Sequence, residues 1–145
     1  MRQISNAETR LREATTVPGT LSASFDAFEV IRSLARGNEN RVPGLFAAFM
    51  MAADAAVDGR EAVTIAPSLP PAAGSRMPGR PTAGTDVGEI ADAMAALGAL
   101  LGDRLSRAAA TAATPGDRTA CEEAAEAAGR ICELMTGGDG DTRLR

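Results

Sequence analysis

Apolar residues recur along this chain three and four positions apart, the spacing that lines one face of an α-helix. Leu21, Phe25, Phe28, Ile31 and Leu34 predict an amphipathic helix that starts near Thr20 or Ser22 and stops at Gly37, with Arg32 and Arg36 beside its negative end. Ahead of it, Ser5 and Glu8 stand at capping-box spacing and predict a short first helix ending before Pro18-Gly19. Asn40 and Pro43 mark the entry of a third helix, where Val42, Phe46, Phe49, Ala53 and Val57 follow a seven-residue pattern. Leu45 and Met50 widen that stripe, and Gly59 ends the helix or interrupts it before Ile65.

Residues 67–84 hold five Pro and three Gly in 18 positions, which predicts a long surface connection dividing the chain in two. Beyond it Asp86 and Glu89 form a second N-terminal box, and Ile90, Met94, Leu97, Leu101 and Ala108 predict a helix of about 40 Å. Thr114-Pro115-Gly116-Asp117 restarts a helix, with Cys121, Ala125, Ala128, Cys132 and Met135 as its seam until Gly137-Gly138. The facing residues are small: Ala91, Ala95, Gly98 and Gly102 on one arm, Ala124, Ala125 and Ala128 on the other. Such rows let two helix axes approach to the usual 8 to 10 Å or less, with backbone dispersion replacing part of the burial that larger side chains give. The expected architecture is all-α: a four-helix bundle with a short N-terminal helix and an Ala-rich antiparallel helical hairpin in the C-terminal half. It is expected to be a single domain over 1–136, with 67–84 as its loop and 137–145 as a flexible tail.

Composition narrows the class further. Of 145 residues 31 are Ala and only 3% are aromatic, which favours helices over a sandwich or barrel. Leu, Ile, Val and Phe together number 26, so the core is thin, but a net charge of −4 is too small for a disordered chain. There is no His, Tyr or Trp, and all 15 basic residues are Arg. The commonest general base and metal ligand is therefore missing, as is the ammonium of a Schiff base or P-loop. Ala, Gly and Arg richness without Lys reads as coding in a GC-rich bacterial genome. Charges at Arg2, Glu8, Arg10, Arg12 and Glu13 break up any apolar leader, and no uncharged apolar run approaches the roughly 20 residues a bilayer requires. A cytoplasmic location is expected.

Each candidate for chemistry has a plainer structural reading beside it. Cys121 and Cys132 lie roughly 16 Å apart along one helix, too far to bridge each other or share a metal, and read as core positions, with a redox or intermolecular role as the alternative. Asp54, Asp58 and Glu61 form an acidic ridge that is either a solvated face or, if buried, an acid/base pair. Gly79 to Thr85 has P-loop glycine spacing but lacks the Lys, and Asp86 and Glu89 would repel an anion there. Arg32, Arg36 and Arg41 border a helical turn, yet Leu45 to Met51 offers no polar group to a base edge, so nucleic acid is not expected. The PxxP spacing at Pro67 to Pro70 reads as extended linker, and Arg76, Met77 and Arg80 in the same loop could close over a site, although nothing in the sequence indicates a lid.

These exclusions favour a non-catalytic helical interaction protein, an accessory or scaffold that associates with itself or with another protein. A thin core in a small domain gains stability when association buries residual apolar faces, for which Met50, Met51, Leu100 and Leu105 are the candidates. The alternative is a small-molecule-binding bundle, or a small biosynthetic enzyme using Asp54 or Asp58 as base in a pocket between the helix pairs. Neither reading calls for a cofactor, a metal, nucleic acid or a membrane.

Overall fold

The computed structural model describes residues 1–71 and 84–144, with side chains described through Gly137. The described residues form five α-helices and no strand: α1 (Arg2–Glu13), α2 (Val17–Asn38), α3 (Phe46–Ile65), α4 (Val87–Thr111) and α5 (Pro115–Leu144), with a 3-10 turn at Pro43–Leu45 before α3. Most of the Pro/Gly-rich connection expected at 67–84 lies outside the described residues.

Several boundaries differ from expectation for identifiable reasons. Helix α1 starts at Arg2, so Ser5 and Glu8 lie inside it and cap nothing; burial of Ile4, Ala7 and Leu11 on one face fixes it instead. Pro18-Gly19 does not separate α1 from α2 but occupies the first turn of α2, where Thr16 Oγ1 accepts the Gly19 N–H at 3.1 Å and proline's missing N–H leaves no bond unmade. Helix α2 passes Gly37 and ends at Asn38, whose buried side-chain amide donates to Leu34 O at 2.7 Å. Gly59 neither ends nor interrupts α3, and α5 runs through Gly137-Gly138 to Leu144. The two later caps match the sequence. Asp86 Oδ2 accepts the Glu89 N–H at 3.2 Å, and Thr114 Oγ1 accepts the Asp117 N–H at 3.1 Å.

Helices α2, α3, α5 and α4 pack in that cyclic order, each against the next and α4 back against α2, while α1 lies on α2 and α4. Their largest fully buried side chains include Leu11, Phe28, Ile31, Phe49, Met94, Leu101 and Ile131, so α1 contributes to the core and does not merely flank it. Phe25, expected in the core, is half-buried.

Along α4 and α5 the small residues face inward. Ala91, Ala95, Ala124 and Ala128 are buried, and a Cβ built on Gly98 would stand 3.1 Å from Ala128 O and 3.2 Å from Cys132 N. Gly102 faces Ala125 and Ala128 with more room, 3.9 Å from each. At Gly98 the two backbones touch through the space a side chain would fill, which maximises dispersion where large apolar residues are scarce.

Two sets of ion pairs tie the layers together. Arg10 of α1 pairs with Asp26 of α2, and Glu29 of α2 accepts from both Arg32 and Arg60, the latter on α3. Partial burial raises the Glu29 pKa, but hydrogen bonds and charge from Arg60 and Arg32 outweigh it and hold the carboxyl below its ordinary value.

Candidate functional site

The buried side of α3 is built from Phe49, Ala52, Ala53, Ala56, Ala62 and Val63, with Gly59 between them. This places the other side of its first turns outward. Val42 and Phe46, expected in the core, are each 39% exposed, and Met50 and Met51 are 37% and 52% exposed. The sequence stripe is centred on the large residues, whereas the packed face of α3 is mostly alanine around Phe49, which turns Phe46 to the surface, and Val42 lies before the helix, ahead of the 3-10 turn. On a helix Phe46 and Met50 are i,i+4 neighbours, as are Ala47 and Met51, so α3 shows solvent an unbroken apolar patch over two turns.

That patch continues into a groove of about 660 Å³ between α3 and the C-terminal half of α5. Ala47, Ala48, Met51 and Ala55 line it from α3, and Leu134 from α5. Its edges are charged: Asp54 and Asp58 on α3, Arg130 and Glu133 on α5. Arg130 donates to Asp58 at 3.2 Å, linking the two helices at the end of the groove farthest from the Pro43 turn. Neither Asp54 nor Glu133 makes an ion pair with a described residue, so among the described residues the edges carry three carboxylates against one guanidinium.

Asp54 and Asp58 are both exposed on an open groove. Of the other surface candidates, Leu100 is half-buried and Leu105 is fully buried, so Leu105 cannot serve as an interface residue. It follows Leu97 and Leu101 at four-residue steps and faces the core with them.

The remaining candidates are absorbed by structure. Cys121 is buried among the core residues, and its thiol pKa is pushed up to about 11 by burial and by the charges of Asp117 and Glu122, which disfavours the thiolate. Cys132 is a half-buried free thiol. Arg32 pairs with Glu29, Arg36 with Glu39, and Arg41 donates to Asn38, so all three arginines engage groups three residues away in sequence. Among the described residues no cluster of metal-ligating side chains forms, and no helix is long and apolar enough to cross a membrane. The P-loop-like segment, apart from Gly84 and Thr85, and the lid candidates Arg76, Met77 and Arg80 lie outside the described residues.

One contact had no sequence signal. Asp117, little exposed at the start of α5, accepts the Ser68 hydroxyl at 2.6 Å and the Ser68 N–H at 3.0 Å, fastening the chain that leaves α3 to α5. Its pKa lies below the ordinary carboxylate value, chiefly because of the Ser68 hydroxyl.

No protein-family model matches the chain, and no curated protein or solved structure shows significant similarity to it.

Proposed function

We propose that this chain is a non-catalytic helical interaction protein, an accessory or scaffold that works by docking another protein chain on the exposed face of α3. The observation that carries this is the apolar patch of Phe46, Met50 and Met51 opening into the α3/α5 groove. Apolar side chains exposed together beside a groove suit an interaction site, and methionines adapt their shape to a partner.

The framework fits that role as a four-helix bundle of α2 to α5 with α1 alongside, its C-terminal half an antiparallel hairpin. In support, Gly98 lies against Ala128 to Cys132 while Gly102, further along α4, lies against Ala125 and Ala128, earlier on α5. Two unpaired thiols suit a reducing, cytoplasmic compartment. The carboxylate-enzyme alternative has less support, because Asp54 and Asp58 both face solvent.

Sedimentation velocity and quantitative co-purification from the native host test the proposal on wild type and on Met51→Asp, with circular dichroism to confirm folding. A larger assembly or a retained partner that Met51→Asp loses is the expected result. A monomer that retains no partner overturns it.

A further inference from the structure

Resting on the reading of the α3 face as a docking surface, we propose that its occupant is an amphipathic helix of a different protein, with Arg or Lys flanking an apolar stripe. The shape of the groove favours a helix. It lies between two packed helices and runs from Gly44 in the 3-10 turn to Asp58 on α3, roughly 20 Å at about 1.5 Å per residue, the length of about four helical turns. A third helix seats in such a groove by the ridge packing that joins α3 to α5. The floor of Ala47, Ala48 and Ala55 leaves room for large apolar side chains from the occupant, and Met51 and Leu134 close around them.

Charge selects the occupant's chemistry. Asp54 stands on one edge and Glu133 on the other, neither paired with a described residue, while Arg130 is already committed to Asp58. An incoming helix with basic residues on both sides of its stripe meets a carboxylate at each edge. A second copy of this chain is disfavoured, because a two-fold contact sets the same surface against itself and doubles the excess negative charge across the interface. Each copy also carries a net −4. The same edges repel nucleic acid and anionic lipid.

The probe is a synthetic helical peptide of about four turns, with Leu at i, i+3, i+4 and i+7 positions and Arg beside that stripe, compared with a twin bearing Glu for each Arg. Binding is measured by fluorescence anisotropy at low salt. Wild type is expected to bind the Arg peptide at least about tenfold more tightly than the Glu twin, the effect of two or three partly screened ion pairs. That preference should shrink as salt is added. The exposed double variant Asp54→Arg/Glu133→Arg should reverse the preference, and Met51→Asp should weaken both peptides.

Equal binding of the two peptides overturns the charge inference while leaving the docking surface standing. Failure of both peptides, with wild type sedimenting as a dimer that Met51→Asp disrupts, replaces the foreign helix by a second copy. Failure of both with a monomeric wild type that retains no partner overturns this inference and the docking surface together.

Discussion

The ring of Phe28 lies over Gly59, so close that a Cβ built on the glycine would stand 2.4 Å from the ring edge. Phe28 is fully buried, so its ring has no solvent into which to retreat. Glycine is therefore at this point of α3 for space and not for termination, and it lets α2 approach α3 there. Gly59→Ala is expected to destabilise the fold by about 1 to 3 kcal/mol through overpacking, despite alanine's better helix propensity. Gly129→Ala, at a helical site with nothing within 4 Å, is the control and should gain about 0.5 to 1 kcal/mol. Urea unfolding of the two variants decides it: equal shifts in the same direction would show that the ring does not hold the glycine's place.

A second pair separates close approach from mere smallness between α4 and α5. At Gly98 the nearest atoms are backbone of α5, which cannot move without shifting the whole helix; at Gly102 an added methyl makes ordinary contact. Gly98→Ala should lower stability by about 1 to 3 kcal/mol, whereas Gly102→Ala should be neutral or raise it by up to about 1 kcal/mol. Thermal unfolding of both variants is the measurement, and a stabilised Gly98→Ala would mean that the rods are not in backbone contact.

How far the sequence revealed these relationships depends on how much contrast each position carried. Ala91, Ala95 and Gly98 recur against Asp92 and the exposed Ala96 and Ala99, and the larger Ile90, Met94 and Leu97 fix which way the face turns, so the inward rows of α4 were legible. In α3 the pattern placed Phe49 and Ala53 on the packed face, where they are buried, but the face is completed by Ala52 and Ala56, and alanine is too nearly neutral to outvote Phe46 and Val42 in a hydrophobic pattern. Pro18-Gly19 reads equally as a break between helices or as the first turn of one, and only the Thr16 cap distinguishes them. The groove was illegible because Asp58 and Arg130 are 72 positions apart, and Ser68 and Asp117 are 49 apart. No local pattern encodes such pairings.

The Ser68–Asp117 contact gives a prediction with a pH signature. Its hydrogen bonds, the Ser68 hydroxyl first, favour the ionised carboxylate and outweigh burial, so the folded pKa lies below the ordinary 3.8. The contribution is therefore complete above the unfolded value and is lost as pH falls through the folded one. Asp117→Asn should cost about 1 to 3 kcal/mol at neutral pH, because Ser68 keeps only part of its bonding. The gap between variant and wild type should narrow below about pH 4. A gap of constant size from pH 7 to pH 3, followed by chemical denaturation, would show that the charge of Asp117 is irrelevant to the latch.

Thiol reactivity tests the placement of the two cysteines on α5. Cys121 is enclosed and its thiol pKa is pushed up to about 11, while Cys132 is half-buried one helical face-repeat away. A disulfide reagent at pH 8 should modify Cys132 in the native protein and reach Cys121 only on unfolding, since attack requires both access and thiolate. The Cys132→Ser variant should consequently show almost no native reactivity. Two thiols reacting at one fast rate would place Cys121 at the surface and misassign the inner face of α5.

Phe46 and Phe49 are one turn apart on α3, yet the structure assigns them opposite roles. Phe49 is 1% exposed within the core, and Phe46 is 39% exposed beside Met50. Phe49→Ala should therefore cost about 3 to 5 kcal/mol, the combined loss of burial and the cavity left behind. Phe46→Ala should cost under about 1 kcal/mol in the isolated chain, because much of its ring already meets water. If α3 docks a partner, the ranking inverts when binding is measured: Phe46→Ala weakens association while leaving the unfolding midpoint almost unchanged. Equal destabilisation by the two substitutions would mean that Phe46 is part of the core and that the exposed face of α3 has been drawn one step out of register.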